Sequence, residues 1–303
     1  MKSTSDNVAR ESVSARDAVT ESVIAPAERG LPTIARMYRG LQWHRTVRRA
    51  VLPVLLLALW QYASTAGLFD PSFVPSPTTV LASWWQWVFG ARSELAWYSG
   101  TWLEYVYLSG WRVLVGFAIA SVAGVTIGVL IGWFELMRDM LDPIVQGLRP
   151  IPMTAWLPFA TFIFGIREGA AIFLIAMGSF FPIAVSCTIG AEQTPKNLVR
   201  AALMLGTRPR RLLLRVVLPS ALPYIFNGLR VGLGIAWVLV IVSEMLAVKG
   251  GIGYAMWTAY QFVRIDLIVA AMFTMGLLGL TSDRLLLALN RRLLRWNTGL
   301  RAR

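Results

Sequence analysis

The sequence predicts an all-α protein, a polytopic transmembrane helical bundle with six membrane spans. Hydrophobic residues make up 56% of the 303-residue chain and charged residues only 15%, whereas soluble domains carry about 25% charged residues. The hydrophobic residues are also gathered into long runs, and crossing a bilayer takes roughly 20 apolar residues in a helix. Both observations indicate that lipid, rather than water, surrounds most of the folded chain.

Six apolar segments meet this length criterion and define the predicted spans. The third contains Pro150, Pro152 and Pro158, so we expect it to be bent or broken. Only residues 165–168 separate it from the fourth. The six predicted spans cover about residues 50–68, 108–133, 143–165, 169–190, 222–246 and 266–289.

The two ends of the chain differ from this membrane domain. Residues 1–45 are polar and lack apolar periodicity, which predicts a disordered cytoplasmic tail rather than a signal peptide. The membrane domain then covers residues 46–296, and a short basic tail follows at 297–303.

A short helix is predicted between the first two spans. Ser76 can cap its N-terminus, and Pro77 suits the first helical position. Trp84, Trp85 and Trp87 follow, and indole rings favour the headgroup region of a bilayer. We therefore expect this helix to lie on the membrane surface, with a loop helix in water as the alternative.

The net charge of +13 has two competing explanations, nucleic-acid binding and membrane topology. Basic residues are concentrated in the N-terminal tail, in the 191–221 loop and at the C-terminal end, as in the cytoplasmic loops of membrane proteins. The distribution predicts a multi-pass membrane protein with both termini in the cytoplasm, in contact with anionic lipid and not with nucleic acid. The few basic residues expected on the other side are Arg92, Arg167, Lys249 and Arg264.

The residues that catalysis or cofactor binding requires are missing from the sequence. One histidine, His44, and one cysteine, Cys187, provide neither a catalytic triad nor a cluster of metal ligands. The chain also lacks a Gly-x-x-x-x-Gly-Lys-Ser/Thr phosphate loop. We therefore expect no enzyme and no bound cofactor, so any energy from ATP has to enter through another subunit.

The loop at 191–221 holds the most informative motif. Thr194 is placed to cap a helix that begins at Pro195, and Gly206 is placed to end it. A second helix is expected to run to Leu218, where Pro219 would break it. Small residues in the middle of the first helix let another protein approach closely, so we interpret the loop as a docking element. The apolar face of that helix comprises Leu198, Ala201, Ala202 and Leu205.

This loop resembles the signature of permeases from binding-protein-dependent ATP-binding-cassette importers. The signature reads Glu-Ala-Ala, three residues, Gly, nine residues, Ile-x-Leu-Pro, and this chain follows its spacing. Arg200 stands where the family usually has Glu, and Val216 replaces Ile. The resemblance implies that this element couples the chain to an ATPase. The remaining matching positions are Ala201, Ala202, Gly206, Leu218 and Pro219.

The resemblance extends over about residues 50–296 and is strongest to the branch that imports sulfonates, taurine and nitrate. Segments such as LRPIPMTAWLPFATFIFG and GGIGY carry it. It implies a six-span permease of the bacterial inner membrane that works as a pair, expected to be a homodimer, on two ABC ATPase subunits. Those subunits would bind the ATP, and an external substrate-binding protein would deliver a small anion.

Glycines at regular spacing mark a packing face on the second span. Gly124, Gly128 and Gly132 lie four residues apart, and this spacing lets two helix backbones approach closely in lipid. The partner helix belongs either to the same bundle or to a second copy across a dimer seam.

Charged residues inside the spans are costly, so each requires an explanation. An arginine in the bundle either attracts an anionic substrate, forms a structural ion pair, or extends to the headgroups. Arg112 lies near the outer end of the second span, and Arg230 near the inner end of the fifth. Our candidates for the translocation path are Arg149, Trp156 and Glu244.

An ATP-independent secondary transporter or channel is the alternative function. Such proteins often show inverted repeats and acidic residues at the middle of the membrane. This sequence has no clear internal repeat, and Glu244 is the only acid well within a predicted span. A membrane enzyme is disfavoured by the missing catalytic residues, and the sequence leaves the substrate open.

Overall fold

The computed structural model describes residues 51–67, 70, 73–91 and 97–293, and every regular element in these ranges is a helix. The predicted all-α class is confirmed, while the predicted tails at 1–45 and 297–303 lie outside the described residues. We number the helices in chain order. They are α1 Val51–Thr65, α2 Pro77–Phe89, α3 Trp102–Trp133, α4 Glu135–Leu148, α5 Met153–Phe164, α6 Glu168–Glu192, α7 Lys196–Met204, α8 Pro209–Leu246, α9 Ile252–Gln261 and α10 Ile265–Leu293.

The first helix, α1, lies mostly in a compact unit that ends at Ala63, separate from the unit that holds the rest of the described chain. It is apolar and most of its side chains are exposed. Its described length falls short of the roughly 20 residues that cross a bilayer core. Residues 50 and 68, which bound the predicted first span, lie outside the described ranges.

Within the described residues, four helices are long and apolar enough to cross a membrane, namely α3, α6, α8 and α10. They contain the predicted second, fourth, fifth and sixth spans. The predicted third span is broken, as its prolines indicated, because α4 ends at Leu148 and α5 begins at Met153. Pro150 and Pro152 lie in the turn between them, since proline cannot donate a backbone hydrogen bond within a helix.

The central helix of the bundle is α6, which has no exposed residue between Gly169 and Thr188. Helix α3 packs on it through a row of glycines. A Cβ atom added to Gly128 would lie only 2.7 Å from the Cβ of Cys187 on α6. The Thr188 hydroxyl donates a 3.1 Å hydrogen bond to the Gly128 carbonyl. Gly124 and Gly132 face α6 in the same way, so all three predicted packing glycines contact a helix of the same chain.

Helix α8 packs on another side of α6, again through glycines. Gly228 faces Ser186, and the Ser179 hydroxyl donates to the Gly232 carbonyl at 3.0 Å. Because glycine has no side chain, the backbones of α3, α6 and α8 approach closely enough for these hydroxyl–carbonyl hydrogen bonds. The three helices therefore form one tightly packed layer.

The expected break at Pro219 is wrong. Helix α8 continues from Pro209 to Leu246, with one π-helical turn at Leu213–Val217. In that turn the Leu218 amide donates to the Leu213 carbonyl, five residues back. This shift of the hydrogen-bond pattern, directly before Pro219, lets the helix accommodate the missing donor.

Helix α2 begins as predicted, because Ser76 Oγ accepts a 3.2 Å hydrogen bond from the Thr79 amide and Pro77 is the first helical residue. Its tryptophans do not share one environment. Trp85 is exposed, but Trp87 is buried and donates to Thr101, and Trp84 donates to Thr274 on α10. Trp84 and Trp87 therefore contact protein, whereas Trp85 remains free to face the headgroups, and the position of this helix on the membrane surface stays a prediction.

Candidate functional site

The first helix of the helix–turn–helix at 191–221 is α7, and α7 ends in a Schellman turn. The Gly206 amide donates to the Leu203 carbonyl at 2.9 Å, and the Thr207 amide donates to the Ala202 carbonyl at 3.1 Å. Gly206 has a φ of +72°, a conformation that favours glycine. The predicted role of Gly206 as the end of the helix is therefore confirmed. Thr194 does not cap the other end, because α7 begins at Lys196 without a side-chain cap.

The C-terminal tip of α7 is apolar and almost fully exposed. Met204 is 87% exposed and Leu205 is 86% exposed, and Leu198 and Leu203 are more than half exposed. These side chains lie in a loop that otherwise carries several arginines. Of the predicted docking residues, Arg200 and Ala201 are also exposed, and Ala202 is half-buried.

The second half of the motif is anchored in the bundle. Leu218 packs against a core cluster that includes Ala221 and Ile225 on α8. Val216 and Pro219 are half-buried. The motif therefore joins an exposed helix, α7, to the beginning of a membrane-spanning helix, α8.

The connection between α6 and α7 is equally direct. Helix α6 ends at Glu192 and α7 begins at Lys196. A cavity of about 620 Å³ lies beside this connection, and Arg138 of α4 forms a 2.9 Å ion pair with Glu192 at its edge. Other charged residues around the cavity are Glu135, Lys196 and Arg200.

The opposite end of the bundle, which we call the distal end, comprises the start of α6, the end of α8 and α9. A buried ion pair lies there: Arg112 Nη1 of α3 is 2.6 Å from Glu244 Oε1 of α8. Both side chains are 0% exposed. The second oxygen of Glu244 accepts hydrogen bonds from the Ser109 hydroxyl at 2.9 Å and the Gly253 amide at 2.8 Å. Each charge therefore has a partner, as burial in a medium of low dielectric constant requires.

Arg112 also binds two other parts of the distal end. Its Nε and Nη2 donate to the two oxygens of Glu168, at the start of α6, at 2.6 Å each. Its Nη1 donates to the Gly250 carbonyl at 2.7 Å. One guanidinium thus joins α3, α6, α8 and the loop before α9.

That loop needs glycine at two successive positions. Gly250 and Gly251 have φ values of +115° and +108°, and a Cβ on Gly251 would overlap the carboxylate of Glu244. The GGIGY segment, which the sequence marked only by resemblance, is therefore the backbone that covers the buried carboxylate.

The three candidate path residues lie in different surroundings. Arg149 is exposed and directly follows α4. Trp156, in α5, is half-buried, and its indole N–H has no hydrogen-bond partner among the described residues. Glu244 has no exposed surface in this conformation, because it is enclosed by the ion pair with Arg112.

Two further ion pairs involve α10. One joins it to α8, and the other joins it to the turn between α9 and α10. Arg230 of α8 contacts Asp283 of α10 at 2.8 Å. Arg264 contacts Asp266 at 2.8 Å, and its hydrogen bond to that carboxylate raises the pKa of the guanidinium. Arg264 therefore stays charged at any physiological pH.

Sequence reasoning missed how these charges combine. The predicted spans place Arg112 near the outer end of the second span and Glu244 toward the outer end of the fifth, and opposite charges at similar depth were the signal that could have paired them. Sequence reasoning gave no role to Glu168 or Ser109, because each of these is unremarkable in its own helix.

This architecture defines a class: a polytopic helical membrane protein with an exposed helix of apolar tip, α7, at one end of the bundle. Residues 124–295 match the family described as the binding-protein-dependent transport system inner membrane component. The chain belongs to this family. It is therefore the membrane component of a transport system that works with a binding protein.

Individual relatives and a solved structure agree with this assignment. The nitrate import permease protein NrtB of Synechocystis sp. is 35% identical over 79% of this chain and 86% of its own length. The putative aliphatic sulfonates transport permease protein SsuC of Escherichia coli is 36% identical over 84% of this chain and 94% of its own. A chain of the MetNI methionine ABC transporter, in an inward-facing conformation, matches with a TM-score of 0.52 and 25% identity. The match covers 67% of this chain and 98% of that one.

Proposed function

We propose that two copies of this chain form the path by which a small anion enters the cell, driven by separate ATPase subunits. The relatives named for nitrate and for aliphatic sulfonates support an anion as the cargo. The chain itself is neither an enzyme nor the ATP-binding subunit, and an external binding protein delivers the cargo. The protein lies in the inner membrane, with both termini and α7 on the cytoplasmic side. The basic residues of the 191–221 loop support this orientation.

The exposed apolar tip of α7 is the observation that carries this proposal. A cluster of large apolar side chains in a basic, water-facing loop marks an interaction surface. A helix that lies in a groove of its partner binds through residues three and four positions apart. Leu198, Ala201 and Leu205 have that spacing. We assign the ATPase to this face.

Movement of the ATPase is passed into the membrane through the ends of the motif. When ATP brings the two ATPase subunits together, each displaces the α7 that it holds. Leu218, anchored in the core, and the short connection to α6 transfer the displacement to the packed layer of α3, α6 and α8. The layers of the two copies then tilt and alternate the opening of the path.

The path lies between the two copies in this proposal. Arg149 is an exposed cation that suits an anion, and Trp156 offers an unpartnered N–H among the described residues. We assign Glu244 to the scaffold instead of the path, because its charge is already neutralised by Arg112.

The test is capture of the ATPase by the purified permease. Replacing Leu205 by aspartate places a charge in the docking face, and we expect docking to weaken by about 2 kcal/mol or more, as for a central interface residue. Co-purification of the ATPase from membranes, at equal permease yield, measures this loss. Changing the half-buried Ala202 to glutamate is expected to have the same effect.

Leu136→Asp is the matched control, because Leu136 is a comparably exposed leucine near the same end, outside α7. It is expected to retain the ATPase. Full capture by Leu205→Asp, or transport by the permease in vesicles without any ATPase, would overturn the proposal.

A further inference from the structure

A cleft of about 290 Å³ opens at the distal end. It lies between three segments: the C-terminal end of α8, helix α9, and the turn before α6. Its volume is close to the lower end of the roughly 300–1,000 Å³ range of small-molecule sites. Apolar and polar groups line separate parts of it. Ile166 and Leu246 form an apolar wall, and Lys249, Tyr254, Trp257 and Gln261 provide polar groups.

Among the described lining residues of the cleft, Lys249 is the one charged side chain. Lys249 is exposed, and no ion pair or hydrogen bond between described residues uses its ammonium group. No carboxylate belongs to the part of the lining that the structure describes. The acid behind the cleft, Glu244, is buried and paired with Arg112. Among the described lining residues, an anion entering the cleft therefore meets one positive charge and no negative charge.

The backbone around Lys249 is fixed before any ligand arrives. The Gly250 carbonyl accepts from Arg112 at 2.7 Å, and the Ile252 amide donates to Ser109 at 2.9 Å. The Gly253 amide donates to Glu244 at 2.8 Å. A site whose geometry is set in advance loses less entropy on binding.

We propose that this cleft is a binding site of the permease itself for an alkanesulfonate, the cargo class that it selects within the proposed function. The sulfonate accepts hydrogen bonds from Lys249 and the neighbouring donors of Tyr254, Trp257 and Gln261. The alkyl chain covers the apolar wall formed by Ile166 and Leu246. Nitrate has no apolar part to bury there, and the ammonium group of taurine finds no carboxylate in the described lining.

The experiment uses the full permease–ATPase complex in phosphatidylcholine nanodiscs, without the external binding protein, so that only the permease can bind the ligand. Saturation-transfer NMR follows a titration with pentanesulfonate. We expect saturable binding, with nitrate and taurine competing at least about tenfold more weakly, since each lacks part of the match. The ATPase rate of each complex confirms that it is assembled and folded.

Lys249→Gln is expected to weaken pentanesulfonate binding at least about tenfold, because a charge-assisted hydrogen bond is lost, and Lys249→Arg is expected to retain it. Arg167→Gln is the matched control, since Arg167 is an exposed cation of the same end, outside the lining. It is expected to leave binding unchanged.

Three results would each overturn the inference: unchanged binding in Lys249→Gln, an equal loss in Arg167→Gln, or nitrate binding as tightly as pentanesulfonate. The first result would mean that Lys249 contacts lipid headgroups and not the ligand. The second would mean that the exposed cations of this end attract the anion without a specific site. These outcomes differ from failure of the proposed function itself, in which no anion would be transported in response to ATP.

Discussion

At the scale of single residues, Arg112 determines the structure of the distal end. Its guanidinium uses all three nitrogens, on Glu168, Glu244 and the Gly250 carbonyl. A buried ion pair adds little net stability compared with an apolar pair, but removing one partner costs about 3–5 kcal/mol, because the other charge is left without a partner. Loss of Arg112 is therefore destabilising mainly because the buried carboxylate of Glu244 would be left without a partner.

Arg112→Met is accordingly expected to lower the free energy of unfolding by about 3–5 kcal/mol. Unfolding of the purified protein in mixed detergent micelles, followed by circular dichroism, measures the change. The double variant Arg112→Met/Glu244→Gln is expected to recover part of the loss. Its neutral glutamine no longer leaves a buried charge unpaired, and it can still accept from the Gly253 amide. A double variant less stable than Arg112→Met would contradict this account.

The sequence identified Arg112 and Glu244 as in-span charges but left their role open between a substrate path and an ion pair. A hydropathy pattern gives the depth of each charge and not the direction in which its side chain points. The rotation of α3 and α8 about their own axes depends on how glycines pack against α6, and that information is spread over three helices.

At the scale of the helices, the glycine rows decide which helices touch. Gly128→Ala is expected to destabilise the bundle by about 1–3 kcal/mol, since its methyl group would overlap the Ala184 carbonyl and overpack the α3–α6 contact. Gly110→Ala in the same helix has open space around it, and we expect it to be neutral or stabilising by up to about 1 kcal/mol. The same micelle unfolding experiment compares the two. Equal effects would show that close packing at Gly128 is not needed.

Helix ends were predicted best where one residue determines the local geometry. The positive φ of Gly206 and the cap at Ser76 depend on contacts within a few residues, so the sequence was sufficient for both. Thr194 and Pro219 were predicted wrongly, because their local preferences did not decide the outcome. Pro195, and not Thr194, occupies the N-cap position of α7, and α8 adopts a π turn and continues past Pro219.

At the scale of the whole molecule, the orientation in the membrane can be tested with single cysteines. The native Cys187 is buried, so it contributes no background reaction. With the proposed topology, Arg210→Cys is labelled by a membrane-impermeant maleimide only in inside-out vesicles stripped of the ATPase. Gln261→Cys is labelled only in intact cells. Both positions are exposed in the structure.

Labelling of Arg210→Cys in intact cells would place the docking helix outside and would exclude coupling to a cytoplasmic ATPase. Labelling of both variants on the same side would contradict the path of α8 through the membrane, because α8 separates the two positions.

The short connection from Glu192 to Lys196 has a consequence for energy conversion. Because this connection is so short, it can hardly extend, and a displacement of α7 by the ATPase is transmitted to the packed layer of α3, α6 and α8. Inserting four glycines after Gln193 would let α7 move with the ATPase while α6 stays in place. We expect such a variant to hydrolyse ATP at a near-normal rate while its yield of imported anion per ATP falls, which paired phosphate-release and uptake assays on proteoliposomes would measure.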